Sequence, residues 1–154
     1  MTDNVNSPSH YTQGDVEVIE VIEYITSKYP KEIRYHVGNI IKYICRAPFK
    51  GKLEEDINKS YWYLTRARKV LETESVKGRR YIVKFLPVKP KSYTLIKLDS
   101  SPVIDKFLSQ TVTNYDKEKQ VSIARTLSEL NSNSGGNVQE LLANVDYFLK
   151  PITT

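Results

Sequence analysis

The chain has 154 residues, 40% of them hydrophobic, with 23 Lys and Arg against 18 Asp and Glu and one cysteine; that length builds one hydrophobic core, or one core with a small appendage. Cys45 alone excludes an internal disulfide and a cysteine-rich metal centre, and no apolar run approaches the ~20 residues of a membrane span. The N-terminus Met1-Thr2-Asp3-Asn4-Val5-Asn6 is polar and unlike a leader, so the expectation is a cytoplasmic protein.

Residues 1–14 have turn chemistry, with Ser7-Pro8-Ser9-His10-Tyr11 in the middle and Gly14 at the end. From Asp15, Val16, Ile19, Val21, Ile22 and Ile25 form a helical apolar stripe that ends near Ser27 to Tyr29, before Pro30. Ile33, Val37, Ile40, Ile41 and Ile44 predict a second helix, which Pro48 stops. A third opens after Gly51 with Glu54-Glu55-Asp56, presents Leu53, Ile57, Tyr61, Leu64, Val70 and Leu71 to a core, and reaches Thr73 or beyond. After Lys77-Gly78 the period turns toward two in Tyr81 to Phe85 and Tyr93 to Leu98, with Pro87 and Pro90 between, which predicts a β-hairpin. Val103 to Val112 reads as a strand or a short helix, and Lys119 to Thr126 as another strand. After the loop Asn131 to Gly136, Val138 to Leu149 reads as a final helix with Leu141, Leu142, Val145 and Phe148 inward. The expected fold class is α+β: a three-helix unit over 1–76 and a small basic unit containing the hairpin over 77–154.

Charge follows the same division. Residues 1–76 carry 11 Lys and Arg against 11 Asp and Glu, and residues 77–154 carry 12 against 7, so the whole net charge of +5 lies in the second half. Scattered over Lys77, Arg79, Arg80, Lys84, Lys89, Lys91 and Lys97, it implies attraction to polyanions without sequence-specific reading of nucleic acid.

The candidate chemistry lies in the first half. At helical pitch Asn39, Lys42 and Arg46 share one face, followed by Lys50 in the turn and by Asp56 and Lys59 on the next helix. An amide, an ammonium and a guanidinium in that arrangement suit a phosphate or nucleotide. A structural reading stands beside this one: Asn39 bonds within the helix packing next to Gly38, and Asp56 pairs with Arg46 across two helices. His10 and Tyr11, presented by Pro8, are further candidates for contact with a base or phosphate. His36 reads as a surface or interface histidine. Trp62, Tyr61 and Tyr63 are consecutive, so they cannot all face one pocket; together with 11 tyrosines overall they suggest a homo-oligomer with ligand near the interface.

Val5-Asn6-Ser7-Pro8-Ser9-His10-Tyr11, Gly38-Asn39 with Lys42-Tyr43 and Arg46, then Lys50, Asp56, Lys59 and Tyr63-Leu64 resemble the small tailed-phage family labelled SaV-like or nucleotide-kinase-like, over residues 5 to about 72. The resemblance implies a phage-encoded protein connected with nucleotides, because that family includes a nucleoside monophosphate kinase without a P-loop. The residues themselves favour capture over catalysis. No Gly-x-x-x-x-Gly-Lys-Ser/Thr is present, and consecutive Glu54, Glu55 and Asp56 point in different directions from a helix and cannot chelate one ion together.

The expected function is therefore binding of a phosphorylated nucleotide, or a nucleotide-derived host immune signal, through His10, Tyr11, Asn39, Lys42, Arg46, Lys50, Asp56 and Lys59, with no metal and no cofactor. The first alternative is a nucleoside monophosphate kinase, which alone would call for ATP and magnesium. The second is a module that docks on a host protein through its basic second half. Neither a membrane nor a specific nucleic-acid sequence is an expected partner.

Overall fold

Apolar residues at three- and four-residue spacing wind most of this chain into helices, and proline and glycine set where they stop. The computed structural model describes residues 5, 16–76, 101–133 and 137–154. Helix α1 (Val18–Thr26) buries Val18, Val21 and Ile25. After Pro30 a 3-10 turn (Lys31–Ile33) leads into α2 (Arg34–Arg46), which buries Val37, Ile40, Ile41 and Ile44. A second 3-10 turn, Ala47–Phe49, follows, and Gly51 then takes φ +68°, the left-handed conformation that a side chain resists. That reversal starts α3 (Leu53–Val76), whose Glu54, Glu55 and Asp56 complement the helix dipole.

Three more helices complete the described residues. Pro102 opens α4 (Pro102–Thr113). Asp116 caps α5 (Lys117–Asn131), accepting from the Lys119 backbone N–H at 3.2 Å, and Asn137 caps α6 (Val138–Leu149), accepting from that of Glu140 at 3.1 Å. A last 3-10 turn, Lys150–Ile152, follows α6.

The α+β expectation is corrected here: every regular element among the described residues is helical, and none is a strand. Val103 to Val112 belongs to α4, where Ile104, Phe107, Leu108 and Thr111 are buried at helical spacing. The strand expected over Lys119 to Thr126 is the first half of α5. Within α5 Val121 is exposed, and Ile123, Thr126, Leu127 and Leu130 form the buried stripe at helical spacing. The hairpin segments, Tyr81 to Phe85 and Tyr93 to Leu98, lie outside the described residues. The final helix spans Val138–Leu149 as its pattern predicts, with Leu141, Leu142, Val145 and Phe148 buried.

One hydrophobic cluster takes residues from all six helices. At Gly38 α1 and α2 approach so closely that a Cβ would lie 3.1 Å from Ile22 Cγ2. Two buried tyrosines tie the early helices to the later ones. The Tyr29 hydroxyl donates to the Leu130 carbonyl at 2.6 Å, on the last turn of α5. The Tyr115 hydroxyl donates to the Ile44 carbonyl at 2.5 Å. In a continuing helix that carbonyl would receive the N–H of residue 48, but Pro48 has none, so Tyr115 supplies the missing donor. Burial pushes both phenols up from their ordinary range. Beside Tyr115, the buried Cys45 thiol is pushed up to about 12 by burial, against the pull of a hydrogen bond with Thr111, so it is an inert packing group.

Tyr115→Phe keeps the ring but orphans the Ile44 carbonyl, and is expected to lower unfolding free energy by about 1–3 kcal/mol. Tyr147→Phe, at a partly exposed ring on α6, serves as the neutral control. Denaturant melts of the two variants check this; equal midpoints would contradict the role given to Tyr115.

Candidate functional site

Helices α2 and α3 pack antiparallel: residue 46 meets 56, residue 43 meets 59 and 63, and residue 36 lies near 63 and 66. At the turn end of this seam Arg46 forms a two-bond fork on Asp56, with Nε donating to Oδ2 at 2.9 Å and Nη2 to Oδ1 at 3.0 Å. The Asp56 side chain is 1% exposed and that of Arg46 is 20% exposed. A planar guanidinium matches a carboxylate in this way, and the geometry fixes both side chains.

Tyr43 is the centre of the next layer. Its ring has Arg46 Cζ at 4.7 Å, Lys42 Nζ at 5.0 Å and Lys59 Nζ at 5.6 Å from the centroid. The ring's negative face lets three cations gather where they would otherwise repel one another. Lys59 also donates to Glu55 at 2.6 Å, and Lys52 lies 3.7 Å from the other Glu55 oxygen. This contact is chiefly what raises the Lys59 ammonium pKa and lowers that of the Glu55 carboxyl, so both are charged across the neutral range.

Tyr43 also stacks on Tyr63, with centroids 5.8 Å apart and planes 16° apart. Tyr63 in turn meets Tyr35 at 6.0 Å and 77°, Trp62 at 5.0 Å and 86°, and His36 at 6.4 Å and 57°. A hydrogen bond with Tyr35, then burial, raises the Tyr63 phenol. His36 has its Nδ1 enclosed without a hydrogen-bond partner, and burial and the Arg66 charge hold the imidazole below its ordinary range. The imidazole is therefore neutral at pH 7.

The structure thus brings Lys42, Arg46, Asp56 and Lys59 together. Asn39 lies one turn up the same helix, where its Nδ2 donates to the Tyr35 carbonyl at 2.8 Å, so the amide serves its own backbone. Lys50 is exposed in the turn after α2. His10 and Tyr11 lie outside the described residues. Glu54 and Glu55 are exposed while Asp56 is buried, so the three acids diverge; among the described residues, no three His, Cys, Asp or Glu side chains form a group able to hold a metal ion. Sequence reasoning missed Tyr35, quoted Tyr43 in the motif without giving it a role in the site, and read His36 as a surface or interface histidine; the structure places it half-buried beside Tyr63. The available signal was spacing: Tyr43 follows His36 by seven residues, and Tyr63 follows Lys59 by four. Tyr61 turns away from this face, hydrogen-bonds Asp146 of α6, and is pushed up to about 12, chiefly by burial.

A family model described as a protein of unknown function (DUF3310) matches residues 5–65. The match takes in α1, α2 and the first half of α3, and so includes Arg46, Asp56 and the whole aromatic cluster. No curated protein matches the chain, and no solved structure does. No described helix is long and apolar enough to cross a membrane.

Arg46→Ala is expected to cost about 3 kcal/mol, because it strands a buried carboxylate. Lys59→Ala, which breaks an exposed pair, should leave the unfolding midpoint unchanged. Denaturation of the two variants tests the contrast; equal losses would show that the Arg46–Asp56 fork is no more important to the fold than the surface pair.

Proposed function

We propose that this chain captures a phosphorylated nucleotide on the α2–α3 face and releases it chemically unchanged. The observation that carries this reading is the Tyr43 layer, where three cations surround a ring that stacks on a second ring. Lys42 and Lys59 are the phosphate-facing cations of this reading. Lys59 gives up only an exposed contact with Glu55, which costs little to exchange. Arg46 is held in the buried fork and acts by placing positive charge beside them. Asn39 and Lys50 lie at the margins of the site, and Asp56 orients Arg46.

The finer likeness, to the small tailed-phage family labelled SaV-like or nucleotide-kinase-like, belongs to this reading, since four of its motif residues, Lys42, Arg46, Asp56 and Lys59, lie around Tyr43. Capture is favoured over phosphoryl transfer because Asp56, the buried carboxylate of the site, has both oxygens on Arg46.

Calorimetric titration with AMP in EDTA should give saturable binding, weakened on the order of tenfold or more by Lys42→Ala, as loss of a charge-assisted contact requires. Mass spectrometry after incubation with AMP, ATP and magnesium should recover AMP intact. Absence of binding, or formation of ADP from AMP, would overturn the proposal.

A further inference from the structure

Tyr35 and Trp62 are 69% and 59% exposed, although both are large aromatics on helices that otherwise point their apolar residues inward. They come from different helices, Tyr35 from α2 and Trp62 from α3, yet both stand nearly perpendicular to the same half-buried ring, Tyr63. Such rings leave flat, polarisable surface open to solvent at a fixed orientation, with little side-chain entropy left to lose. Their neighbourhood selects among the ligands that flat aromatic surface attracts. An aromatic group that receives a quaternary ammonium needs an environment free of competing cations. Here Lys42, Arg46 and Lys59 ring the adjoining Tyr43, and the charge of Arg66 is felt at His36. A ligand for this face must therefore combine a planar uncharged ring with an anionic group.

The separation of the two parts fixes how they are joined. Tyr35 and Lys42 are seven residues apart on α2, about 10 Å along the helix axis. Free phosphate reaches only the cationic end, and a free base only the aromatic end. A base joined through a sugar to phosphate reaches both. Resting on the reading that the Tyr43 cations hold phosphate, we infer that Tyr35 and Trp62 are the base-stacking residues of the site, and that a nucleotide lies along α2–α3 with its base on these two rings and its phosphate at Lys42 and Lys59. Stacking uses the π-face that every base possesses, so affinity follows ring size more than base edge: purine nucleotides bind more tightly than pyrimidine nucleotides.

The test compares AMP with ribose 5-phosphate, which keeps the phosphate and sugar but lacks the base, by calorimetry on the full chain. The wild type should bind AMP on the order of tenfold or more tightly than ribose 5-phosphate. Tyr35→Ala and Trp62→Ala should each reduce AMP affinity toward that of ribose 5-phosphate, and leave ribose 5-phosphate affinity unchanged. Trp62→Phe, which retains a stacking ring, should restore most of the AMP preference, and so separates stacking from a fault in folding. Equal binding of AMP and ribose 5-phosphate by the wild type, or an equal loss of both in the alanine variants, would overturn this assignment and leave phosphate capture standing. Failure of both ligands to bind the wild type would overturn phosphate capture and this assignment with it. Conversion of a wild-type dimer to monomers by Trp62→Ala, seen by sedimentation, would give these rings to a second copy of the chain and overturn the base assignment.

Discussion

The fork between Arg46 and Asp56 is the contact on which the α2–α3 face depends. It joins the last turn of α2 to the first turn of α3 across the Gly51 reversal, and sets the register in which Tyr43 falls opposite Lys59 and Tyr63. Behind it lies a second set of contacts. Tyr115 supplies the donor that Pro48 lacks, and Cys45 packs against Thr111 of α4. The end of α2 is thus held from one side by charge and from the other by buried hydrogen bonds, so the aromatic cluster is displayed on a fixed frame. A buried ion pair of this kind adds little net stability compared with apolar packing, but it tolerates few other arrangements of its helices.

That constraint also divides the labour among the cations. Three positive groups approach one tyrosine ring, but they are not equivalent. Arg46 is bound at two atoms to a buried carboxylate, whereas Lys59 holds an exposed glutamate and Lys42 lies over the ring. Exchange of partners is inexpensive at the lysines and costly at the arginine. In the proposed capture this gradient confines rearrangement to the two lysines at the rim.

How much of this was legible in the sequence depended on which interactions are local. Helices α1, α2, α3 and α6 follow from uninterrupted apolar stripes punctuated by Pro30, Pro48 and Gly51. In α4 and α5 the β-branched Val103, Ile104, Val121 and Ile123 imitate strand composition, and only burial at Phe107, Leu108, Leu127 and Leu130 reveals the helical period. The grouping of Asn39, Lys42 and Arg46 is a matter of pitch on one helix and was readable. The Arg46–Asp56 pair was visible as one of two possibilities, since spacing across a turn does not fix side-chain direction. The Tyr35–Tyr63–Tyr43 arrangement was not readable, because it depends on how α2 crosses α3. Tyr63 and Tyr61 are the same residue type two positions apart and differ in the direction they face, Tyr63 toward Tyr43 and Tyr61 toward Asp146.

The most direct test of the account uses the fact that Trp62 is the only tryptophan in the chain and stands against Tyr63 at the edge of the proposed site. Its emission should change saturably as AMP is added without metal at constant ionic strength, and inorganic phosphate should reverse the change by competing at the cations. Emission that stays flat throughout the titration, while free tryptophan run in parallel confirms the optical correction, would contradict the claim that this face receives a nucleotide.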